Sequence, residues 1–284
     1  MDDDEFVERY GPWALVVGAS EGVGATFARA VAERGVDVVL VARRQAVLDD
    51  VAAEISAATG VRTRTVAVDL TEPEATDVIA AATSDVEIGT LLYCAGADPN
   101  YAPFLSQSAD DAVAMVQRNC TAPLRLCHHF AAPMQGRGRG AIVLVSSGAG
   151  LVGGPNMVAY GATKAFDMVM AEALWAELHG HGVDVLGLVL GLTDTPALRR
   201  LLLQRGQIQA LDDPIPGAAT ADHVVATALA NLVEGPTVFA GEDVQLGDAT
   251  FRTMTRNDSV RMLLEVAGSV MGSDPAANYR EVSS

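Results

Sequence analysis

The stretch WALVVGASEGVG, residues 13–24, decides the fold. Its first five residues form an unbroken apolar run, the pattern of a strand buried on both faces of a parallel sheet. The run breaks into Gly18-Ala19-Ser20-Glu21-Gly22-Val23-Gly24, and helical sequence follows over Val23–Arg34. A glycine turn between strand and helix lets the backbone reverse tightly. It also lets a pyrophosphate approach the helix N-terminus, where free N–H groups and the dipole favour an anion. The spacing is GxxxGxG, and glycines alone also fit an ordinary strand–helix turn. Their place after the first strand gives them weight.

The same alternation runs on. Asp37–Val41 reads as a strand and Gln45–Thr59 as a helix, and Arg64–Val68, Thr90–Cys94, Ala141–Ser146 and Val183–Leu190 read as further strands. This predicts an α/β fold, a doubly wound parallel sheet with helices on both faces. Neither a Pro-, Gly- or Ser-rich linker nor an internal repeat divides the chain. Residues 1–284 are therefore expected to form a single domain with its core over 12–247. Two segments depart from the alternation. Residues 196–217 read as an apolar helical lid, and residues 249–284 as a tail that is helical over Val260–Val270 and loose after Gly272.

Half of the 284 residues are hydrophobic and only 19% are charged, which excludes a disordered chain. Nineteen Lys and Arg against 36 Asp and Glu give a net charge of −17. Such a field repels phosphate backbones and anionic lipid, which argues against nucleic acid and membrane as partners. Three cysteines without a CxxC pair argue against a disulfide framework or a metal site. The acidic start, MDDDEFVERYGPW, has no apolar signal core, and every apolar run falls short of the roughly 18 residues of a membrane span. A cytoplasmic location is expected.

The second strand ends in Val41-Ala42-Arg43-Arg44. An acid at that tip would bind a ribose 2′-hydroxyl, whereas two guanidiniums can fork onto a 2′-phosphate. That favours NADP(H) over NAD(H), with Glu21 in the turn acting against it. The strongest constellation is Ser147 with Tyr160-Gly161-Ala162-Thr163-Lys164. Tyr160 and Lys164, four residues apart, share one helix face. An ammonium beside a phenol stabilises the phenolate, so that a tyrosine can exchange a proton with an alcohol or carbonyl near neutral pH. Ser147 lies 13 residues upstream of Tyr160, at the end of a strand, where open α/β sheets place their ligands.

With these residues in place the chain resembles the short-chain dehydrogenase/reductase family over roughly Trp13 to Gly247. The resemblance implies a Rossmann-like sheet and an NAD(P)-dependent oxidoreductase. Further positions agree with the family: Asp69-Leu70, which would meet the adenine; Cys94-Ala95-Gly96 after the fourth strand; Asn119; and Leu190-Gly191 followed by Thr193 and Thr195, near the nicotinamide carboxamide and phosphates. Three positions depart from it: Val17 where the family usually has Thr, Cys94 where it has Asn, and Leu190 where it has Pro. These brace turns around the cofactor. By resemblance, Tyr160 is the acid for reduction and the base for oxidation. Lys164 binds the nicotinamide ribose, Ser147 donates to the substrate oxygen, and Asn119 links Lys164 to solvent.

Leu198, Leu201, Leu202 and Leu203 of the lid, with the uncharged stretch Gly150–Met157, suit a bulky apolar ketone and its secondary alcohol. A 3-oxoacyl thioester reductase is the alternative, with Arg125, Arg137 and Arg139 as a docking patch for an acidic carrier protein. A nicotinamide-binding sensor without turnover ranks lower, because the four family positions are all retained. The helices expected over Ala109–Ala132 and Tyr160–His179 resemble those that pair subunits in the family, implying a homodimer or homotetramer.

Overall fold

The computed structural model describes residues 1–98 and 100–271; the loose segment expected after Gly272 lies outside the described residues. The chain opens with α1 (Asp3–Tyr10), whose first N–H groups are capped by the Asp2 carboxylate. Then come β1 (Trp13–Val17), α2 (Gly22–Glu33), β2 (Asp37–Ala42), α3 (Gln45–Thr59), β3 (Thr63–Ala67), α4 (Ala75–Ala82) and β4 (Ile88–Tyr93). Next are α5 (Ala109–Val116), a π-turn (Gln117–Thr121), α6 (Ala122–Arg137), β5 (Gly140–Ser147), α7 (Val158–Leu178) and β6 (Val183–Leu190). The chain continues through β7 (Thr193–Asp194), α8 (Pro196–Gln204), β8 (Ala219–Thr220), α9 (Ala221–Ala230), β9 (Thr237–Ala240), α10 (Glu242–Phe251) and α11 (Arg256–Met271).

Seven strands form one parallel sheet in the order β3-β2-β1-β4-β5-β6-β9, and β7 pairs with β8 apart from it. The strands β1, β4 and β5 are buried on both faces, which is why they carry continuous apolar runs. One core layer gathers Phe27, Val31, Leu40 and Leu48, and the other Leu15, Ile79, Leu91 and Ile142. Each such side chain contributes about 1.5–3 kcal/mol on burial. The chain order reverses between β1 and β4. In open sheets this switch point is where a crevice forms at the carboxyl ends of the strands.

Three features differ from the sequence-based expectations. The seventh strand, β9, was not expected: Thr-Val-Phe-Ala is too short to show a period, yet it completes the edge beside Gly187–Leu190. The helix expected over Ala109–Ala132 is interrupted by the π-turn and continues to Arg137. And α1, which lies before the core expected over 12–247, is built into the fold. Its Tyr10 hydroxyl donates to Asp184 of β6 at 2.7 Å, Arg9 joins at 2.9 Å, and the Thr90 hydroxyl donates to the Tyr10 carbonyl at 2.8 Å. Burial, reinforced by the Asp184 carboxylate, pushes the Tyr10 phenol far above its ordinary range.

The docking patch expected at Arg125, Arg137 and Arg139 is not present as such. Arg137 and Arg139 both close on Glu87, Arg137 donates to the Ile88 carbonyl at 2.9 Å, and Arg139 to that of Gly11 at 3.0 Å. Arg125 donates to the Pro73 carbonyl at 3.0 Å. Arg137 and Arg139 brace the starts of β4 and β5, the opposite edge of the sheet from the crevice.

Candidate active site

The crevice is lined by the turns that follow β1, β2, β3, β4, β5 and β6. After β1, the Gly18 and Ala19 N–H groups donate to the Val41 carbonyl at 2.8 and 3.1 Å. The turn carries half-buried Ser20 and buried Val23 into α2. Glu21, the N-cap residue of α2, makes no side-chain hydrogen bond to the first turn, so the N-terminal N–H groups remain open to an anion. Gly24 is there for close approach: a Cβ at this position would stand 2.1 Å from the Gly18 carbonyl oxygen. Gly22 lies against Thr195, whose methyl would be 3.3 Å from a Cβ there. The glycine turn thus meets the last cofactor-binding candidate in the chain, and this cradle fits a dinucleotide pyrophosphate.

The arginines at the tip of β2 are exposed, but not without partners. Arg44 reaches Glu21 at 3.4 Å, and Arg200 of α8 closes on the same carboxylate. The charge expected to oppose a 2′-phosphate is therefore offset by two guanidiniums. Arg43 stands 4.0 Å from Asp69. Burial alone would raise the Asp69 carboxyl, but hydrogen bonds from Thr71 and the charges of Arg43 and Arg118 outweigh it and hold the carboxyl below its usual range. Leu70 beside it is buried.

After β4, the Cys94 N–H donates to the Val17 carbonyl at 2.8 Å, and Ala95 follows against Gly18. Burial pushes the Cys94 thiol up to about 12 despite the pull of Lys164, so Cys94 stays protonated. A Cβ on Gly96 would come within 2.9 Å of both Asn119 Oδ1 and Lys164 Nζ, so the missing side chain makes room for that pair. After β6, Leu190 and Gly191 lead into a loop whose Leu192 N–H donates to Asp243 of α10 at 2.6 Å. The hydroxyl of buried Thr193 donates to the Gly191 carbonyl at 3.1 Å, and that of Thr195 caps α8 by accepting from the Leu198 N–H at 3.2 Å.

Ser147 is the last residue of β5, and its hydroxyl accepts from the Ala149 N–H at 3.3 Å. The following turn packs on α7 at backbone distance: a Cβ on Gly150 would be 2.6 Å from the Ala165 nitrogen. The Ser146 hydroxyl pins the same helix by donating to the Lys164 carbonyl at 2.6 Å. These contacts bring Ser147 to the start of α7, where half-buried Tyr160 and buried Lys164 lie on one face. Lys164 Nζ is 6.0 Å from the Tyr160 ring centroid.

Asn119 is fully buried in the π-turn, a local distortion common at functional sites. Its amide donates to the Thr163 hydroxyl at 2.9 Å and its oxygen accepts from Arg118 at 3.1 Å. The Thr163 hydroxyl in turn donates to the Tyr160 carbonyl at 2.9 Å. Thr163, a variable position of the YxxxK spacing, thus ties Asn119 to the tyrosine's own turn. Thr163→Val leaves the buried amide without this acceptor and is expected to cost about 1–3 kcal/mol. A lower urea midpoint with an unchanged slope is the expected signature.

Sequence reasoning missed Thr163, Asp167, Arg200 and Asp243. Among the described residues no group of His, Cys, Asp and Glu could hold a metal. No helix among them is long and apolar enough to cross a membrane.

A glycine turn at a switch point, beside a serine hydroxyl and a tyrosine–lysine pair, fits an NAD(P)-dependent oxidoreductase. The chain belongs to the short chain dehydrogenase family, whose family model matches residues 12–205. It is 35% identical to a 7β-hydroxysteroid dehydrogenase of Collinsella aerofaciens over 235 residues, 83% of this chain and 88% of that one. A solved 7β-hydroxysteroid dehydrogenase, studied for its stereoselectivity, superposes with a TM-score of 0.82 at 32% identity, covering 93% of this chain and 99% of that one. A short-chain dehydrogenase from Sphingobium yanoikuyae in complex with NADPH superposes with a TM-score of 0.71 at 32% identity, over 81% and 86% of the two chains.

Proposed function

We propose that the protein is an NADP(H)-preferring oxidoreductase that interconverts a bulky apolar ketone, of steroid size, and its secondary alcohol. The observation that carries the substrate class is the wall beside Ser147. There α11 lies over the turn after β5: Leu263 would be 3.7 Å and Met157 3.4 Å from a Cβ on Gly154, and Arg256 donates to the Leu151 carbonyl at 3.4 Å. Val152 in the same turn and Leu202 of α8 are buried apolar side chains, and apolar walls with few polar groups suit such a ketone. The similarity to hydroxysteroid dehydrogenases supports the same substrate size.

A bound nicotinamide supplies or accepts the hydride. The chain's own residues do the rest. Gly18, Ser20, Gly22 and the open N–H groups of α2 hold the pyrophosphate, and Arg43 and Arg44 take the 2′-phosphate, Arg44 exchanging Glu21 for it. In reduction the Ser147 hydroxyl donates a hydrogen bond to the substrate oxygen, which stabilises the negative charge developing there. The Tyr160 hydroxyl gives its proton to that oxygen, and the Lys164 ammonium stabilises the phenolate left behind. Asn119 holds the path by which the proton is replaced from solvent. Oxidation runs the same transfers backwards.

Nicotinamide absorbance followed with NADPH and with NADH, over steroid ketones, small acyclic ketones and a 3-oxoacyl-CoA, tests the reading. Turnover is expected to favour NADPH and the steroid-sized ketones. In Arg43→Ala, kcat/KM with NADPH is expected to fall by roughly tenfold or more, for the loss of a charge-assisted contact, with NADH unaffected. Preference for NADH would overturn the assignment of Arg43 and Arg44, and preference for the thioester would overturn the substrate class.

A further inference from the structure

The ammonium of Lys164 is held by two groups. Lys164 Nζ donates to the Val145 carbonyl at 2.8 Å and to Asp167 Oδ2 at 3.0 Å. The side chains of Lys164 and Asp167 are only 4% and 2% exposed. Asp167 sits nearly one turn further along α7, so both point into the same interior space. Its second oxygen, Oδ1, is buried with no hydrogen-bond partner among the described residues.

A carboxylate buried with an acceptor oxygen unmet is a poor choice for stability, since desolvation exceeds what one partner returns. The other ionisable groups facing it are Tyr93 on β4, Cys120 in the π-turn and Cys127 on α6. These are a phenol and two thiols, so Lys164 is the cation that Asp167 answers. Burial pushes the Asp167 carboxyl up to about 6, and Lys164 draws it back.

We infer that Asp167 is a positioning residue, a buried counter-ion that holds Lys164 Nζ against β5 and offsets part of the ammonium charge felt by Tyr160. It thereby sets the pH at which the tyrosine exchanges its proton. The inference rests on the tyrosine–lysine reading proposed above. Asp167→Asn removes the charge and keeps the shape. The ammonium is then uncompensated and the phenolate forms more readily.

The test is an ultraviolet titration of tyrosinate in the NADP⁺ complex, with Tyr160→Phe subtracted as reference, for the unsubstituted protein and for Asp167→Asn. The Tyr160 step is expected roughly one pH unit lower in the variant, with Asp167→Glu restoring the original position. The acid limb of alcohol oxidation should move with it, about tenfold in rate at a fixed pH on the limb. An unmoved step accompanied only by a lower denaturation midpoint would reduce Asp167 to a structural role and overturn the inference. A step moved upward would overturn it as well. If Asp167→Asn does not fold, Asp167→Ser, which leaves room for water, is titrated in its place. Failure of the underlying reading shows separately, as turnover that survives in Tyr160→Phe.

Discussion

Tyr160→Phe is expected to lower kcat/KM in both directions by about 10²- to 10⁴-fold, the range of a lost general acid–base. The ring stays, so packing on α7 changes little, and stability should hold to within about 0.5 kcal/mol. Cofactor affinity should hold too, because the cradle around α2 does not involve the phenol. Initial rates at saturating NADP(H), with binding measured by calorimetry on the same sample, separate the two effects. A variant that turns over within threefold of the original would remove Tyr160 from the chemistry.

Gly24→Ala is expected to be as damaging by another route. The added methyl would lie 2.1 Å from the Gly18 carbonyl oxygen and 3.3 Å from the Cys94 side chain. Both α2 and the turn before it are backbone, with no flexible side chain to yield. Either α2 lifts from β1 or the turn opens, and in both cases the N–H groups no longer converge on a phosphate. Overpacking of this kind costs about 1–3 kcal/mol, and dinucleotide affinity should fall much further than stability. Calorimetric titration with NADPH, set beside the thermal midpoint, reads both quantities. Unchanged affinity would show that the cradle tolerates a wider turn than the geometry allows.

The sheet was largely legible because its strands are buried on both faces. Trp13–Val17, Gln45–Thr59 and Val183–Leu190 have in the structure the limits their apolar runs and flanking glycines predict. What escaped was whatever depends on a distant partner. Helix α1 has an acidic, polar sequence with only Phe6 and Tyr10 buried, and its anchor, Asp184, is 174 residues away from Tyr10. Arg137 and Arg139 read as free basic charge because nothing local shows that Glu87 waits for them.

The site divides the same way. The glycine turn and the YxxxK spacing are local patterns, and their residues lie together at the switch point. Asn119 was found through resemblance alone. The π-turn that buries it has no local signal, so the sequence reads as one helix there. Asp167 was invisible for a related reason. A carboxylate on a helix that also carries Glu172 and Glu177 reads as part of a solvated face until β4, the π-turn and α6 are seen to face it.

The anchoring of α1 has a bearing on the order of assembly. Residues 3–10 leave the ribosome well before residue 184, and only when that residue has been made does the buried Tyr10 hydroxyl find its acceptor. The contact is among the longest in sequence that the fold contains, and long loops must close before such contacts reward them. Helix α1, made before every strand of the sheet, is therefore one of the last elements to be fastened, sealing strands that have already aligned.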